Sequence, residues 1–313
     1  MKILITCPPM LRQIHEFKPL FDDKGIEILT PDVVQTLSEA ELINILPEVD
    51  GWIIGDDPAT EKVFTAGKNG KLRAAVKWGV GVDNVDFEAC KKLNIPITNT
   101  PNMFGAEVAG IAVNLVIGLA RQTFLIDRGV REGKWLKPAG ISLAGRKVAL
   151  LGFGDIGKST ARFLHAFDLK INVYDPYAKR NEEDEAKYQF YTWPEHLEDA
   201  DFVVITCALT DSTRHIINEK SLASMKDEVR IVNVSRGPII DENALVAALK
   251  SGKVHSAGLD VFEEEPLPMN AELRNFEKNI FGTHNGSNTI DGVRRASHLA
   301  IEKLFGFLGV NEG

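Results

Sequence analysis

A chain of 313 residues, 44% of them apolar, is long enough to bury a substantial core and favours two domains of ordinary size over one. Its 44 acidic and 36 basic side chains give a formal charge of −8, which excludes a basic field for nucleic acid or an anionic membrane surface, so an anionic ligand must be held by local groups. The cysteines Cys7, Cys90 and Cys207 share no metal-ligand spacing and lie in or beside apolar runs, so they are expected as reduced, buried thiols of a cytoplasmic protein.

From the N-terminus, short β-rich runs at 3–6, 27–29, 51–54, 74–77 and 97–99 alternate with helical patterns. One of these, at 38–46, opens on Ser38 and Glu41, the spacing of a capping box. Such alternation implies βαβ units on a parallel sheet. The first run is too short for a signal sequence and meets Pro8-Pro9, while the longest apolar stretch, 108–120, is too short to span a bilayer and contains Asn114, so no membrane segment is expected. A mostly apolar helix over 101–121, with Glu107 in its first turns, suits a buried connector, and a loop over 129–145 follows.

The chain is organised around Lys147-Val-Ala-Leu-Leu-Gly-Phe-Gly-Asp-Ile-Gly-Lys158. An apolar strand meets Gly152, Gly154 and Gly157 in G-x-G-x-x-G spacing, and a helix is expected over 156–167. The first glycine permits the turn, the second lets backbone approach a pyrophosphate, and the third lets helix pack on strand. The helix start, at Asp155 and Ile156, then offers N–H groups and a positive dipole end to the phosphates. A second strand ending in Asp175 places a carboxylate at the distance that suits adenosine ribose hydroxyls, which predicts NAD over NADP, with Lys179 and Arg180 near enough to soften the preference. Further strands are expected at 202–206, 230–234, 255–259 and 280–283, and an amphipathic helix at 291–308. The acidic run 182–185 reads as a solvated loop rather than a metal site. The result is two doubly wound parallel α/β sheets, with a dinucleotide domain over 101–284 inserted into a domain made of 1–100 and 285–313.

Ligands of open α/β sheets bind beyond the carboxyl ends of the strands, and Arg236, Glu265 and His284 each follow one. Singly each has a plainer reading: Arg236 as a helix cap or partner of Asp241, Glu265 as one more exposed acid, His284 as a core histidine. Together they supply a cation for a carboxylate and carbonyl and a general acid for a developing alkoxide, which hydride chemistry on a 2-oxo acid requires.

Here the chain resembles the D-isomer-specific 2-hydroxyacid dehydrogenase family over essentially its whole length. The resemblance rests on Lys77-Trp-Gly-Val-Gly-Val-Asp-Asn-Val-Asp86, Asn99-Thr-Pro101, the fingerprint, Asn233-Val-Ser-Arg-Gly-Pro-Ile-Ile-Asp-Glu242, Gly258-Leu-Asp-Val-Phe-Glu-Glu-Glu-Pro266 and Thr283-His-Asn-Gly-Ser-Asn-Thr289. It implies a Rossmann NAD domain inserted into a flavodoxin-like substrate domain. It also implies that Arg236 binds the substrate carboxylate and polarises its oxo group, that His284 is the acid and base, that Glu265 orients and charges the imidazole, and that Asp260 supports them. Backbone N–H groups of Gly79, Val80 and Gly81 would receive the substrate carboxylate. Ala208, Thr213 and Val234 would line the cofactor beside Arg236, Asp260 and His284. Gly55-Asp-Asp57 and His284-Asn285 look most like the phosphoglycerate dehydrogenase-like branch. Family dimers built around segments like 120–135 imply a homodimer.

Three departures from the family pattern stand out: Thr283 for the usual proline before the histidine, Ala208-Leu-Thr210 for Pro-Leu-Thr, and Asp155 where many members carry Arg. They bear on cofactor affinity and loop geometry rather than on reaction class. An NAD-sensing corepressor would share the fold, although the negative charge offers no direct DNA contact. Formate oxidation would resemble a Gln in place of Glu265. Asp56 and Asp57, where phosphoglycerate-type enzymes often carry Arg, are expected to repel a phosphate unless Lys77, Arg73 or a residue elsewhere compensates, so glyoxylate or hydroxypyruvate competes with the phosphorylated acid as substrate.

Overall fold

The computed structural model describes residues 1–310. Two compact units emerge, Met1–Met103 together with the segment from Asn288 onward, and Phe104–Ser287, so the expected divisions at 101 and 285 fall just before the observed ones.

The first unit holds strands β1 (Lys2–Ile5), β2 (Glu27–Leu29), β3 (Gly51–Ile54), β4 (Ala74–Lys77) and β5 (Ile97–Asn99), all parallel, in the order β2-β1-β3-β4-β5. This is the flavodoxin-like order, whose reversal between β1 and β3 opens a crevice at their carboxyl ends. Both faces are covered, so the strands are near-continuous apolar runs rather than alternating ones. Trp52, in contact with Phe64, fills one face and satisfies its indole N–H on Thr6 Oγ1 at 2.9 Å. The last helix, Ile290–Leu308, packs on β3 and β4, starts at the Thr289 cap and ends on Gly309 at φ +70°. Arg73 donates to the carbonyl of Leu308 at 3.2 Å, and Gly51 leaves room for Leu304 and Leu308.

In the second unit lie β6 (Lys147–Leu151), β7 (Lys170–Tyr174), β8 (Gln189–Phe190), β9 (Phe202–Ile205), β10 (Val229–Asn233), β11 (Val254–Leu259) and β12 (Ile280–Phe281). They form one parallel sheet in the order β12-β11-β10-β9-β6-β7-β8, the doubly wound Rossmann pattern. The helix Gly105–Arg121 packs against β10 and β11 and against the fingerprint helix, Asp155–His165.

Several local expectations are corrected. The helix expected from 101 begins at Gly105, because Asn102 takes a left-handed conformation, φ +58°, that interrupts the turn after Pro101. It ends on Gln122, also left-handed, and a second helix, Thr123–Arg131, occupies what was read in part as loop. Gly129, taken as the start of that loop, lies inside this helix, where a Cβ would sit 2.6 Å from the Leu136 side chain. The acidic run 182–185 opens a short helix, Glu182–Lys187, through an Asn181 and Asp184 capping box, since acids in a first turn suit the helix dipole. Among the described residues no group of His, Cys, Asp and Glu could hold a metal, and no single helix is long and apolar enough to cross a membrane. Burial raises the thiol pKa of Cys7, of Cys90 to about 12 and of Cys207 to about 11, although Cys207 is only partly buried.

Candidate active site

The fingerprint turn is built by exclusion of side chains. Gly152 sits at φ +93°, and a Cβ there would lie 2.6 Å from the Cys207 backbone. A Cβ on Gly157 would collide with the Gly152 carbonyl, so helix meets strand only because that atom is missing. Gly154, which caps the helix, has open space where a Cβ would stand. That opening beside the helix N-terminus is what a pyrophosphate needs, so these residues fit the dinucleotide. Asp155 and Ile156 form the first turn. The Asp155 carboxylate lies over Gly105, with its buried Oδ2 unpaired.

Asp175, just past β7, accepts from Phe153 N and from Tyr177 N, both at 2.8 Å. These two bonds hold the carboxylate against the fingerprint turn and leave lone pairs for ribose hydroxyls. Arg180 is engaged elsewhere, paired with Glu185 at 3.1 Å and lying over the Phe190 ring. Thr206, which sequence reasoning missed, donates at 3.0 Å to the carbonyls of Leu151 and Gly152 and so ties the turn to β9. Its signal was available, as a hydroxyl residue directly after a strand. The loop from Ala208 is closed by Thr213, whose hydroxyl donates to Ala208 O and accepts from Thr210 N, each at 2.7 Å. Val234 is buried and donates its N–H to Ile205 O at 3.3 Å.

Arg236 leaves the end of β10 in extended backbone and donates to Ser235 O at 2.9 Å. Its carbonyl accepts from Asn233 Nδ2 at 2.8 Å, while Asn233 Oδ1 accepts from Ser235 N at 3.0 Å, so a fully buried amide sets the turn that presents the guanidinium. This role of Asn233 was also missed, although the residue begins a recognised motif. Gly237 then packs directly on the backbone of Phe262, which brings this turn against the loop carrying Glu265.

Within that loop Glu265 Oε1 accepts from Phe262 N at 2.9 Å and Oε2 meets His284 Nδ1 at 2.8 Å. Both side chains are mostly buried. The strand expected over 280–283 stops at Phe281 because the chain then wraps a single carboxylate. Asp260, buried, accepts from Asn285 N at 3.1 Å and Gly286 N at 2.9 Å, and its carbonyl accepts from His284 N at 2.6 Å. These contacts hold His284 at φ +53°, a strained conformation for a residue with a Cβ, and aim its ring at Glu265. Nδ1 is thus the imidazole nitrogen that the Glu265 carboxylate engages.

In the first unit the loop after β4 keeps its shape through Gly79, at φ +115°. Its N–H is donated to Thr100 Oγ1 at 2.8 Å. Val80 is held at its carbonyl by Asn99 Nδ2 at 3.2 Å, and among the described residues no hydrogen bond uses the N–H of Val80 or Gly81.

Comparison with known proteins gives the family. Residues 113–286 match the family described as D-isomer specific 2-hydroxyacid dehydrogenase, NAD binding domain. A hydroxypyruvate reductase of Thermotoga maritima is 36% identical over 307 residues, covering 95% of this chain and 99% of that protein. A glyoxylate reductase of Pyrococcus horikoshii is 35% identical over 318 residues, 98% of this chain and 92% of its own length. Among solved structures, the TT0316 protein of Thermus thermophilus superposes with a TM-score of 0.87 at 28% identity, over 100% of this chain and 98% of that one. A glyoxylate reductase from Paecilomyes thermophila gives 0.82, also at 28%, over 98% and 95%. A G-x-G-x-x-G turn with open space at Gly154, an acid after the second strand and a His–Glu pair at the strand ends thus occur in a chain of matching length, which belongs to the D-isomer-specific 2-hydroxyacid dehydrogenase family and is an NAD-dependent enzyme.

Proposed function

We propose that the protein reduces small 2-oxo acids, hydroxypyruvate and glyoxylate first among them, to their 2-hydroxy acids with NADH. One distance carries the reading: 2.8 Å from His284 Nδ1 to Glu265 Oε2, an imidazole buttressed by a carboxylate at the carboxyl ends of the cofactor sheet. NADH supplies the hydride for the oxo carbon. Arg236 binds the carboxylate and polarises the oxo group, and His284 delivers a proton from Nε2 to the oxygen as it becomes an alcohol. Glu265 holds the imidazole in the tautomer and charge that this needs, while Asp260 acts one step removed, through the backbone of 284–286.

The substrate range draws support from the relatives, which bear the names hydroxypyruvate reductase and glyoxylate reductase; none of those described here carries a phosphoglycerate name. NADH oxidation followed with hydroxypyruvate, glyoxylate, pyruvate and 3-phosphohydroxypyruvate tests it. A highest kcat/KM on either of the first two is expected, and one on the phosphorylated acid would overturn the substrate assignment.

The same chain is proposed to be a homodimer. Phe124, Val130, Trp135 and Leu136 expose apolar surface along one short segment of the second unit, with Trp135 80% exposed. Large apolar side chains left exposed so close together in sequence support an interaction surface there. Sedimentation should give twice the chain mass, and Trp135→Glu should shift it towards the monomer.

A further inference from the structure

Two residues before Glu265, on the same loop, a second carboxylate holds a second histidine, and none of the steps above uses that pair. His215 Nε2 and Glu263 Oε1 lie 2.5 Å apart. His215 stands at φ +50°, the left-handed conformation it shares with His284. Its backbone is bonded on both sides: the N–H donates to Pro238 O at 2.9 Å, and the carbonyl accepts from Asn218 Nδ2 at 2.8 Å. A side chain held in sparsely populated backbone and aimed at a carboxylate is the kind of local strain that gathers at working sites.

The chain that ends on His215 begins at the fingerprint turn. It leaves β9 at Thr206, which donates to the carbonyls of Leu151 and Gly152, and passes Cys207, whose backbone lies against Gly152. The Cys207 carbonyl then accepts from the Ser235 hydroxyl, in the turn that presents Arg236. Residues 206–215 thus form a strap fastened at the fingerprint, at the Arg236 turn and, through His215, at the loop carrying Glu265. On that loop Glu263 is anchored twice. Its side chain is held by His215, and its N–H donates at 2.7 Å to Oε1 of Glu242, the residue that opens the helix Glu242–Ser251. The preceding residue, Phe262, donates its own N–H to Glu265 Oε1. Fixing Glu263 therefore fixes the backbone that in turn holds Glu265.

We infer that His215 is a positioning residue: by holding Glu263 it keeps Glu265 within reach of the His284 ring and so sustains the charged imidazole. The inference rests on the proposed function, in particular on His284 as the proton donor. The pair is not a large stabilising element, since its side chains are 44% and 31% exposed and surface ion pairs contribute little. Its effect is on geometry, where a small displacement of a reacting group is costly in rate. Charge and position predict opposite signs. The charged groups along and beside the loop are Asp260, Glu263, Glu264 and Glu242, with Arg236 on the neighbouring turn. Removing His215 leaves this surrounding as negative as before or more so, and negative charge favours the imidazolium. Losing the position lets Glu265 drift from the ring, which disfavours it.

The test follows kcat for reduction against pH in the wild type, His215→Ala, His215→Gln and Glu265→Gln, at a temperature where every variant is folded. His215→Ala should lower kcat by up to about 10²-fold, the cost of a misplaced group, and displace the profile to lower pH, in the direction of Glu265→Gln. His215→Gln keeps an N–H donor for Glu263, so it should recover most of the rate and the profile. A His215→Ala profile that stays in place or moves to higher pH overturns the inference, as does a His215→Gln enzyme that behaves like His215→Ala. If His215→Ala does not fold, Glu263→Ala and Glu264→Ala decide. Each removes one charge from the same loop, but only Glu263 is tied to His215. A larger downward displacement for Glu263→Ala supports the inference, and equal displacements overturn it. A profile that ignores Glu265→Gln overturns the proposed proton donor together with this inference. If Glu265→Gln displaces the profile and His215→Ala does not, this inference alone falls.

Discussion

His284 is held from two sides, at its ring by Glu265 and at its backbone by Asp260. A neighbouring carboxylate favours the charged imidazolium over the neutral ring. Reduction, which consumes the proton, should fall as rising pH neutralises the imidazole, and oxidation should rise over the same range. Glu265→Gln keeps the geometry and removes the charge, so its mark is a reduction profile displaced to lower pH; a profile that stays in place would mean that the proton comes from elsewhere. His284→Ala should lower kcat by about 10²- to 10⁴-fold, the usual contribution of a positioned acid, with NADH affinity measured by fluorescence titration nearly unchanged. At the other end of the cofactor, Asp175 would accept ribose hydroxyls and repel a 2′-phosphate. NADH should exceed NADPH in kcat/KM, and Asp175→Ala should narrow the gap chiefly by lowering the NADH value.

At the scale of elements, the site depends on turns that touch without side chains between them. Gly237 lies against the backbone of Phe262, three residues before the carboxylate that buttresses His284. Gly237→Ala forces the two turns apart, an overpacking change that costs about 1–3 kcal/mol of stability. It should lower both Tm and kcat, because Glu265 moves with the loop; a variant with a normal Tm and normal turnover would show that the turns are not held this closely. Near the opposite end of β11, His255 is half-buried beside Arg230 and Lys278, and burial, reinforced by those two cations, lowers its pKa to about 4. Because the unfolded chain then binds the extra proton more readily, this site contributes stability above about pH 6.5 that is lost as pH falls towards 4. Thermal melts should decline over that window, and His255→Gln should flatten the decline.

For the whole molecule, the two sheets were legible because parallel strands covered on both faces are written as apolar runs, and the runs at 51–54 and 74–77 became β3 and β4 without adjustment. The Ser38 capping box is present as the spacing implied. Boundaries were lost where a single backbone conformation decided them: Asn102 delays one helix and Gln122 separates two. The short helix at Glu182–Lys187 and the strand β8 were missed, since elements so short carry too few residues to display a period.

By itself the sequence determined which chemistry the chain can perform. The glycine spacing, the acid after the second strand and a cation, an acid and an imidazole at successive strand ends are local facts, written within a few residues of each strand. Only the tertiary structure decided which of these groups meet. Glu265 and His284 are nineteen residues apart and touch because Asp260 folds the intervening chain back on itself. Asp56 and Asp57 are chemically alike and adjacent, yet one faces outward beside Lys77 and the other is buried under Thr6, because the turn after β3 points successive side chains in different directions. Gly79 has an N–H like its neighbours, and it is spent on Thr100. Residue type is fixed by covalent structure, whereas exposure and partnership are properties of the packed chain, and a carboxylate's role follows from which of its oxygens water or a ligand can still reach.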